Sequence, residues 1–219
     1  MFSFHEMEGT MNIISQQRNW KPNPMIKTSK NDNWRLIEEL VQPETLLEQK
    51  IIANQEWQTG AFWGVPRFGH PEGKVLYHIN EVLANVDKAT THPQMRERLR
   101  LVTILHDTFK HLEEKERPRT DWTKHHAIYA LKFAKKYTTD QAVLDVIELH
   151  DEAYYAWQAA RYGRKEAATA RLQKLTKRLG ENLQLFYLFF KCDTQTGDKY
   201  QAPIAWLENR IEEIEVVLF

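Results

Sequence analysis

The sequence predicts an all-α protein, and three observations carry that expectation. From Trp34 onward apolar residues recur at the spacing that lines one face of a helix. Capping and breaking residues, among them Pro43, Pro93, Asp121, Asp140 and Pro203, punctuate those segments. Strand signals are absent.

Taken in order, residues 1–32 are polar and aperiodic, with Asn19, Lys21, Pro22, Asn23 and Pro24 breaking any helix. They read as an irregular N-terminal extension that packs on the body through Trp20, leaving 33–219 as one helical domain. Pro43 and Glu44 read as the first turn of a helix with an apolar stripe of Leu46, Leu47, Ile51 and Trp57. A loop rich in Gly60, Gly64, Pro66, Gly69, Pro71 and Gly73 follows. The next helix, about 74–88, buries Val75, Ile79, Val82 and Val86, and His78 shares that face. Beyond Thr91-His92-Pro93, a helix from about 94 carries Leu99, Val102 and Leu105 into His106. Residues 112–120 form a charged loop, and Asp121 is placed to cap a helix reaching Tyr137. Thr139 or Asp140 caps the next, with Val143, Ile147 and His150 along it. Helices are then expected near 165–178, over Leu183 to Phe190, and from Pro203 to Val217.

The composition excludes several classes of function. A chain of 219 residues suits one domain that buries its own core without disulfides. Lysine plus arginine equals aspartate plus glutamate at 30 each, so no overall charge bias draws the molecule to nucleic acid or an anionic membrane. The single cysteine, Cys192, excludes an internal disulfide and a cysteine-rich zinc site, and fits a reducing compartment. No apolar run approaches the ~18 residues of a membrane span. The N-terminus lacks the basic-then-apolar pattern of a signal peptide. The expected location is the cytoplasm, with a small molecule as partner and the oligomeric state open.

The chemistry gathers on histidines and aspartates. Leu105-His106-Asp107 closes an apolar run, with Lys110 one turn beyond. His78 stands upstream on its own helix; downstream come His126, a second Leu-His-Asp at Leu149 to Asp151, and Asp193 in Lys-Cys-Asp. A lone histidine on an apolar face is usually a hydrogen-bonded core residue. Several, each on or at the end of a successive helix, can instead converge in a bundle as transition-metal ligands. A carboxylate at a helix C-terminus opposes the helix dipole, so a metal is the better account of Asp107. His125 and His126 point different ways, and the register favours His126 as ligand, leaving His125 as a substrate contact. His70 and Glu72, in the loop before the first ligand helix, are placed to touch substrate. Asp151 reads as the cap of the following helix. Tyr154, Tyr155 and Trp157 are either core or a base-stacking wall, and the basic stretch from Arg161 to Arg178 reads as a solvated face.

In this order the residues resemble the HD superfamily of metal-dependent phosphohydrolases, whose elements are a first histidine, a His-Asp doublet and a late aspartate. Here those are His78, His106 with Asp107, and Asp193. His-Pro-Glu-Gly at 70–73, followed by His78, is similar to the opening of the HD domain attached to some bacterial tRNA nucleotidyltransferases. His-Asp-Thr-Phe-Lys at 106–110 matches the family's usual doublet and lysine. His126 with Ala130, where family members often carry glycine, and then His150, resembles the two-metal kind of HD hydrolase. The resemblance spans roughly 65–200. It implies an HD-domain helical bundle in which His78, His106, Asp107 and Asp193 hold a first metal, with Asp198 a rival for the last place. His126 and His150 would hold a second ion or grip the phosphate.

Imidazoles and carboxylates together favour Mn, Fe, Co, Ni or Zn over Mg or Ca, which prefer all-oxygen shells. Such an ion lowers the pKa of its bound water toward neutrality and polarises a phosphoryl oxygen; a pair about 3.5–4 Å apart stabilises both attacking and leaving oxygens. Lys110 would hold a phosphate as a point charge. The expected activity is cleavage of a phosphoester or phosphoanhydride, in a nucleotide or small phosphorylated metabolite, by metal-hydroxide attack. Two other expectations stand beside it: an HD-fold di-iron oxygenase using the same six ligands, and a non-catalytic nucleotide-binding protein.

Overall fold

A computed structural model describes residues 30–115 and 120–219. The described residues are helical and contain no strand, apart from one isolated bridge between Arg67 and His70. The helices are α1 (Lys30–Val41), α2 (Leu46–Ile52), α3 (Gln55–Ala61), α4 (Val75–Ala89), α5 (Pro93–Leu105) and α6 (His126–Ala134). After them come α7 (Gln141–Leu149), α8 (Glu152–Arg161), α9 (Lys165–Leu179), α10 (Leu183–Thr194) and α11 (Ala202–Glu208). Of the extension expected over 1–32, including Trp20, residues 1–29 lie outside the described residues, and 30–32 belong to the start of α1.

Several boundaries differ from the sequence expectation, each for a local reason. The helix expected to run from Pro43 through Trp57 is two helices. Thr45 caps α2 by accepting from the Glu48 amide at 3.1 Å, while the Glu48 carboxylate accepts from the Glu44 amide at 2.7 Å. Asn54 then caps α3, accepting from Glu56 N at 2.8 Å. Asp121 caps only a 3₁₀ turn, Trp122–Lys124, and α6 begins later, at His126. The last helix stops at Glu208 rather than Val217. There the buried Lys191 ammonium takes the Val217 carbonyl at 2.6 Å and the Glu208 carboxylate at 2.8 Å, which holds the final segment against α10 in a non-helical path.

The central layer is α4, α5, α7 and α10; α4 packs on α5 and α10, and α5 on α7 and α10. α1 covers α4, α6 lies against α7, and the α8–α9 hairpin closes one side. Ile79, Val82, Leu99, Val102, Ile104 and Phe186 are fully enclosed in this core. One ion pair lies within it. The Arg100 guanidinium donates to both Glu48 carboxylate oxygens at 3.0 and 2.9 Å, and to the carbonyls of Val41 and Gln42 at 3.0 Å each. A bidentate pair whose guanidinium also meets two backbone carbonyls is the arrangement in which burying two charges is tolerable. It locks the α1–α2 corner to α5.

α3 sets the height of the loop after α5. The Trp57 indole donates to the Ile104 carbonyl at 2.8 Å, and Gly60 lies so close to the next turn that a Cβ there would fall 1.6 Å from the Thr108 carbonyl oxygen. Gly60→Ala would gain about 1 kcal/mol of helix propensity but must displace backbone, and overpacking of this kind costs about 1–3 kcal/mol or more. We expect a net loss of about 2 kcal/mol, read as a lower urea midpoint at unchanged m-value. An unchanged midpoint would show that the α3 contact does not constrain the loop.

Candidate metal centre

Five helices deliver the polar side chains at their ends or inner faces to one point beside α4. His78 sits on the buried face of α4, between Val75 and Val82. His106 and His150 are the residues at which α5 and α7 end, both in helical conformation. In each, Nδ1 faces the carbonyl three residues back, Thr103 O at 3.0 Å and Ile147 O at 2.8 Å. A helix's last carbonyls lack intrahelical donors, so an imidazole at this position supplies one. Nδ1 therefore carries the proton, and Nε2 presents its lone pair to the centre.

The Asp107 carboxylate lies between two pairs of imidazoles. Its Oδ2 is 3.3 Å from His106 Nε2 and 3.7 Å from His78 Nε2. Its Oδ1 is 3.4 Å from His126 Nε2 and 3.7 Å from His150 Nε2. Both triplets, His78–His106–Asp107 and Asp107–His126–His150, are wholly buried and close enough to hold a metal ion. Asp193 Oδ1 stands 2.8 Å from His78 Nε2 and 3.8 Å from His106 Nε2. Asp198 instead accepts from the Gly69 amide at 2.6 Å. The six residues expected as ligands are thus brought together, and Asp193 rather than Asp198 lies among the imidazoles.

The donor atoms fit a cation. Asp107 Oδ1 and His106 Nε2 are buried with no hydrogen-bond partner, a state native proteins rarely leave uncompensated. His126 Nδ1 lies 2.6 Å from the Glu113 carboxylate, so its proton sits there and Nε2 carries a lone pair. That lone pair faces the one on His150 Nε2 at 3.0 Å. Two imidazole lone pairs at this separation repel unless a proton or a metal ion lies between them.

Electrostatics hold the group in the state a metal needs. Burial, followed by the Lys199 charge, pushes His78 down to about 4, against the pull of Asp193. Burial likewise pushes His150 down to about 4, so both rings are neutral at pH 7. Burial works to raise Asp107 and Asp193, but the groups around them, with the His106 ring and the Lys110 ammonium leading at Asp107 and Lys199 at Asp193, hold both well below the usual carboxylate range.

Lys110 is in the site, paired with Asp107 Oδ2. His70 lies in the wall of the adjoining cavity, with Nδ1 2.9 Å from Glu72 Oε1. His125 caps α6, its Nδ1 accepting from Ala127 N at 3.2 Å. This leaves the proton on its Nε2, which is why His126 and not its neighbour presents a lone pair. Asp151 does not cap α8: its side chain makes no capping bond, and its Oδ2 lies 3.5 Å from His126 Nε2 and 3.6 Å from His150 Nε2. Two residues escaped the sequence reading: Lys199 Nζ donates to Asp193 Oδ1 at 2.8 Å, and Glu113 orients His126. Glu72, expected beside substrate, has its Oε1 3.4 Å from His78 Nδ1. Glu113 sits in a charged loop and Lys199 in a polar one, where nothing local distinguishes them from solvated residues.

A cavity of about 290 Å³ opens on the cluster. Asp107, Lys110, His150, Asp193 and Lys199 face it, and Phe68, Tyr154, Phe190 and Tyr200 supply apolar wall. No known protein family, curated protein or solved structure matches the chain. The helical frame and the buried His/Asp cluster are compatible with an HD-like fold.

The stability of the metal-free protein depends on pH. His78 and His150 titrate near 6.5 in the unfolded chain and at about 4 in the folded one. Between those values the unfolded chain binds more protons, so stability is full above pH 6.5 and falls as the pH drops through 4. Asp107 and Asp193 extend the loss to lower pH. Urea midpoints taken from pH 7 to pH 4 check this, and a constant midpoint contradicts the burial of the two rings. Glu113→Gln is expected to weaken Mn²⁺ uptake about 10–100-fold, measured by calorimetric titration, with little change in the far-UV circular dichroism.

Proposed function

We propose that this protein is a metal-dependent phosphohydrolase of HD type, acting on a nucleotide or small phosphorylated metabolite. The observation that carries the reading is the Asp107 carboxylate, which offers one oxygen to His78 and His106 and the other to His126 and His150. Among the described residues this is the arrangement suited to two ions sharing a bridge. His78, His106, Asp107 and Asp193 would hold the first, and Asp107, His126 and His150 the second. Ions held there supply an acidified water and a Lewis acid for the phosphoryl oxygens.

The rest of the chemistry belongs to the chain's own side chains. Lys110 and Lys199 line the cavity, and their ammonium groups are placed to neutralise the oxygens of a bound phosphate. Lys110 stays charged for that task, because burial, which would discharge it, is overcome by Asp107 and Asp151. Phe68 and Tyr200, with ring centroids 5.4 Å apart, give the cavity an apolar flank for the organic part of the substrate. Phe189, itself buried, packs its ring on that of His106 with centroids 5.0 Å apart.

A second reading is favoured by the donor set itself. Four imidazoles against two carboxylates form a nitrogen-rich shell that suits iron, and an HD-fold di-iron oxygenase would use the same residues.

Phosphate release from a panel of nucleotides and phosphate esters, with Mn²⁺ or Co²⁺ added, tests the proposal. Turnover should vanish in Asp107→Ala, and Lys110→Met should lose about 10–100-fold in kcat/KM, the value of one charge-assisted hydrogen bond. An Asp107→Ala protein with full turnover refutes the reading. Absence of phosphate release, together with bound iron and oxygen uptake, would replace it with the second.

A further inference from the structure

The two Leu-His-Asp segments are built alike. In each, the histidine ends a helix, His106 with φ −55° and ψ −43°, His150 with φ −56° and ψ −31°. In each, Nδ1 is tied to the carbonyl three residues back. The two rings meet edge to face with centroids 5.3 Å apart. In each, the following aspartate turns its carboxylate toward the imidazoles of the centre rather than toward the backbone. For Asp107 that carboxylate is the shared one. For Asp151 it means forgoing the helix cap its position offers, a bond worth about 1 kcal/mol.

We propose that Asp151 is a further metal ligand, the terminal carboxylate of the His126–His150 half. This rests on the two-ion reading above and completes it. Each half then has two imidazoles, a share of Asp107 and a carboxylate of its own, Asp193 in one and Asp151 in the other.

The distances support the assignment. Donor atoms about 2.1 Å from a common ion, at tetrahedral or octahedral angles, lie about 3.0–3.5 Å from one another. Asp151 Oδ2 is 3.5 Å from His126 Nε2 and 3.6 Å from His150 Nε2, and those two nitrogens are 3.0 Å apart. The same oxygen meets a third imidazole. His125, with its Nδ1 occupied by the Ala127 amide, carries its proton on Nε2, which lies 3.3 Å from Asp151 Oδ2 and 3.0 Å from the Tyr155 hydroxyl. A donor fixed on a ligating carboxylate is the outer-shell partner that metal sites commonly employ. A third carboxylate also makes the set harder, which favours Mn²⁺ or Fe²⁺ over copper or zinc.

Manganese titration of the full chain, stripped of metal, tests the assignment, with bound ion measured by elemental analysis and spin coupling by electron paramagnetic resonance. Wild-type protein should take up two ions with an exchange-coupled signal. Asp151→Ala and the near-isosteric Asp151→Asn should each retain one ion, bind the other at least tenfold more weakly, and show an uncoupled signal. Asp193→Ala should weaken the opposite ion. If both Asp151 variants take up two ions with wild-type affinity, the assignment is overturned. A lowered metal-free Tm with unchanged manganese binding would return Asp151 to a purely structural role and also overturn it. Failure of the two-ion reading shows separately, as wild-type protein that binds one ion or none.

Discussion

The rings of His106 and His150 hang from carbonyls near the ends of their own helices, and the shape of the centre follows from that pair of hydrogen bonds. Each bond fixes a tautomer, aims a lone pair inward and satisfies a carbonyl that the helix cannot. With both rings fixed, Asp107 has one place to stand, and His78 and His126 approach it from α4 and α6. Glu113 behind His126 repeats the principle with a carboxylate in place of a carbonyl.

So many ionisable groups can be buried together only because their charges are matched. Lys110 and Lys199 stand against Asp107 and Asp193. The same rule operates away from the site, where Arg100 and Glu48 lock the first helices onto α5. That pair does no chemistry. It fixes the helix from whose end the His-Asp doublet projects, and Gly60 then lets α3 approach the Thr108 backbone immediately after it.

The helical class and the six convergent residues were legible because they depend on periodicity and on residue type. His78 shares a face with Val75 and Val82, and both Leu-His-Asp segments close apolar runs. The split between α2 and α3 was less visible, since Thr45 with Glu48 and Asn54 with Glu56 are short capping signals inside a continuous apolar stripe. Asp151 resembles a cap in sequence, since an aspartate between two helices ordinarily is one, and only the fold shows its carboxylate turned the other way. Lys199 and Glu113 gain their roles from chain segments far away in sequence, and no local pattern announces such partners.

The donors come from α4, α6 and α10 and from the ends of α5 and α7, so no single helix or helical hairpin contains the centre. Its closure requires pairings such as His78 with Asp193, 115 residues apart in sequence. Contacts of that sequence separation carry a loop-closure entropy that local ones do not. The centre is therefore complete only in the finished fold. Metal arriving early would find only scattered, mismatched ligands, whereas metal arriving late meets a shaped set and draws the equilibrium toward the native chain.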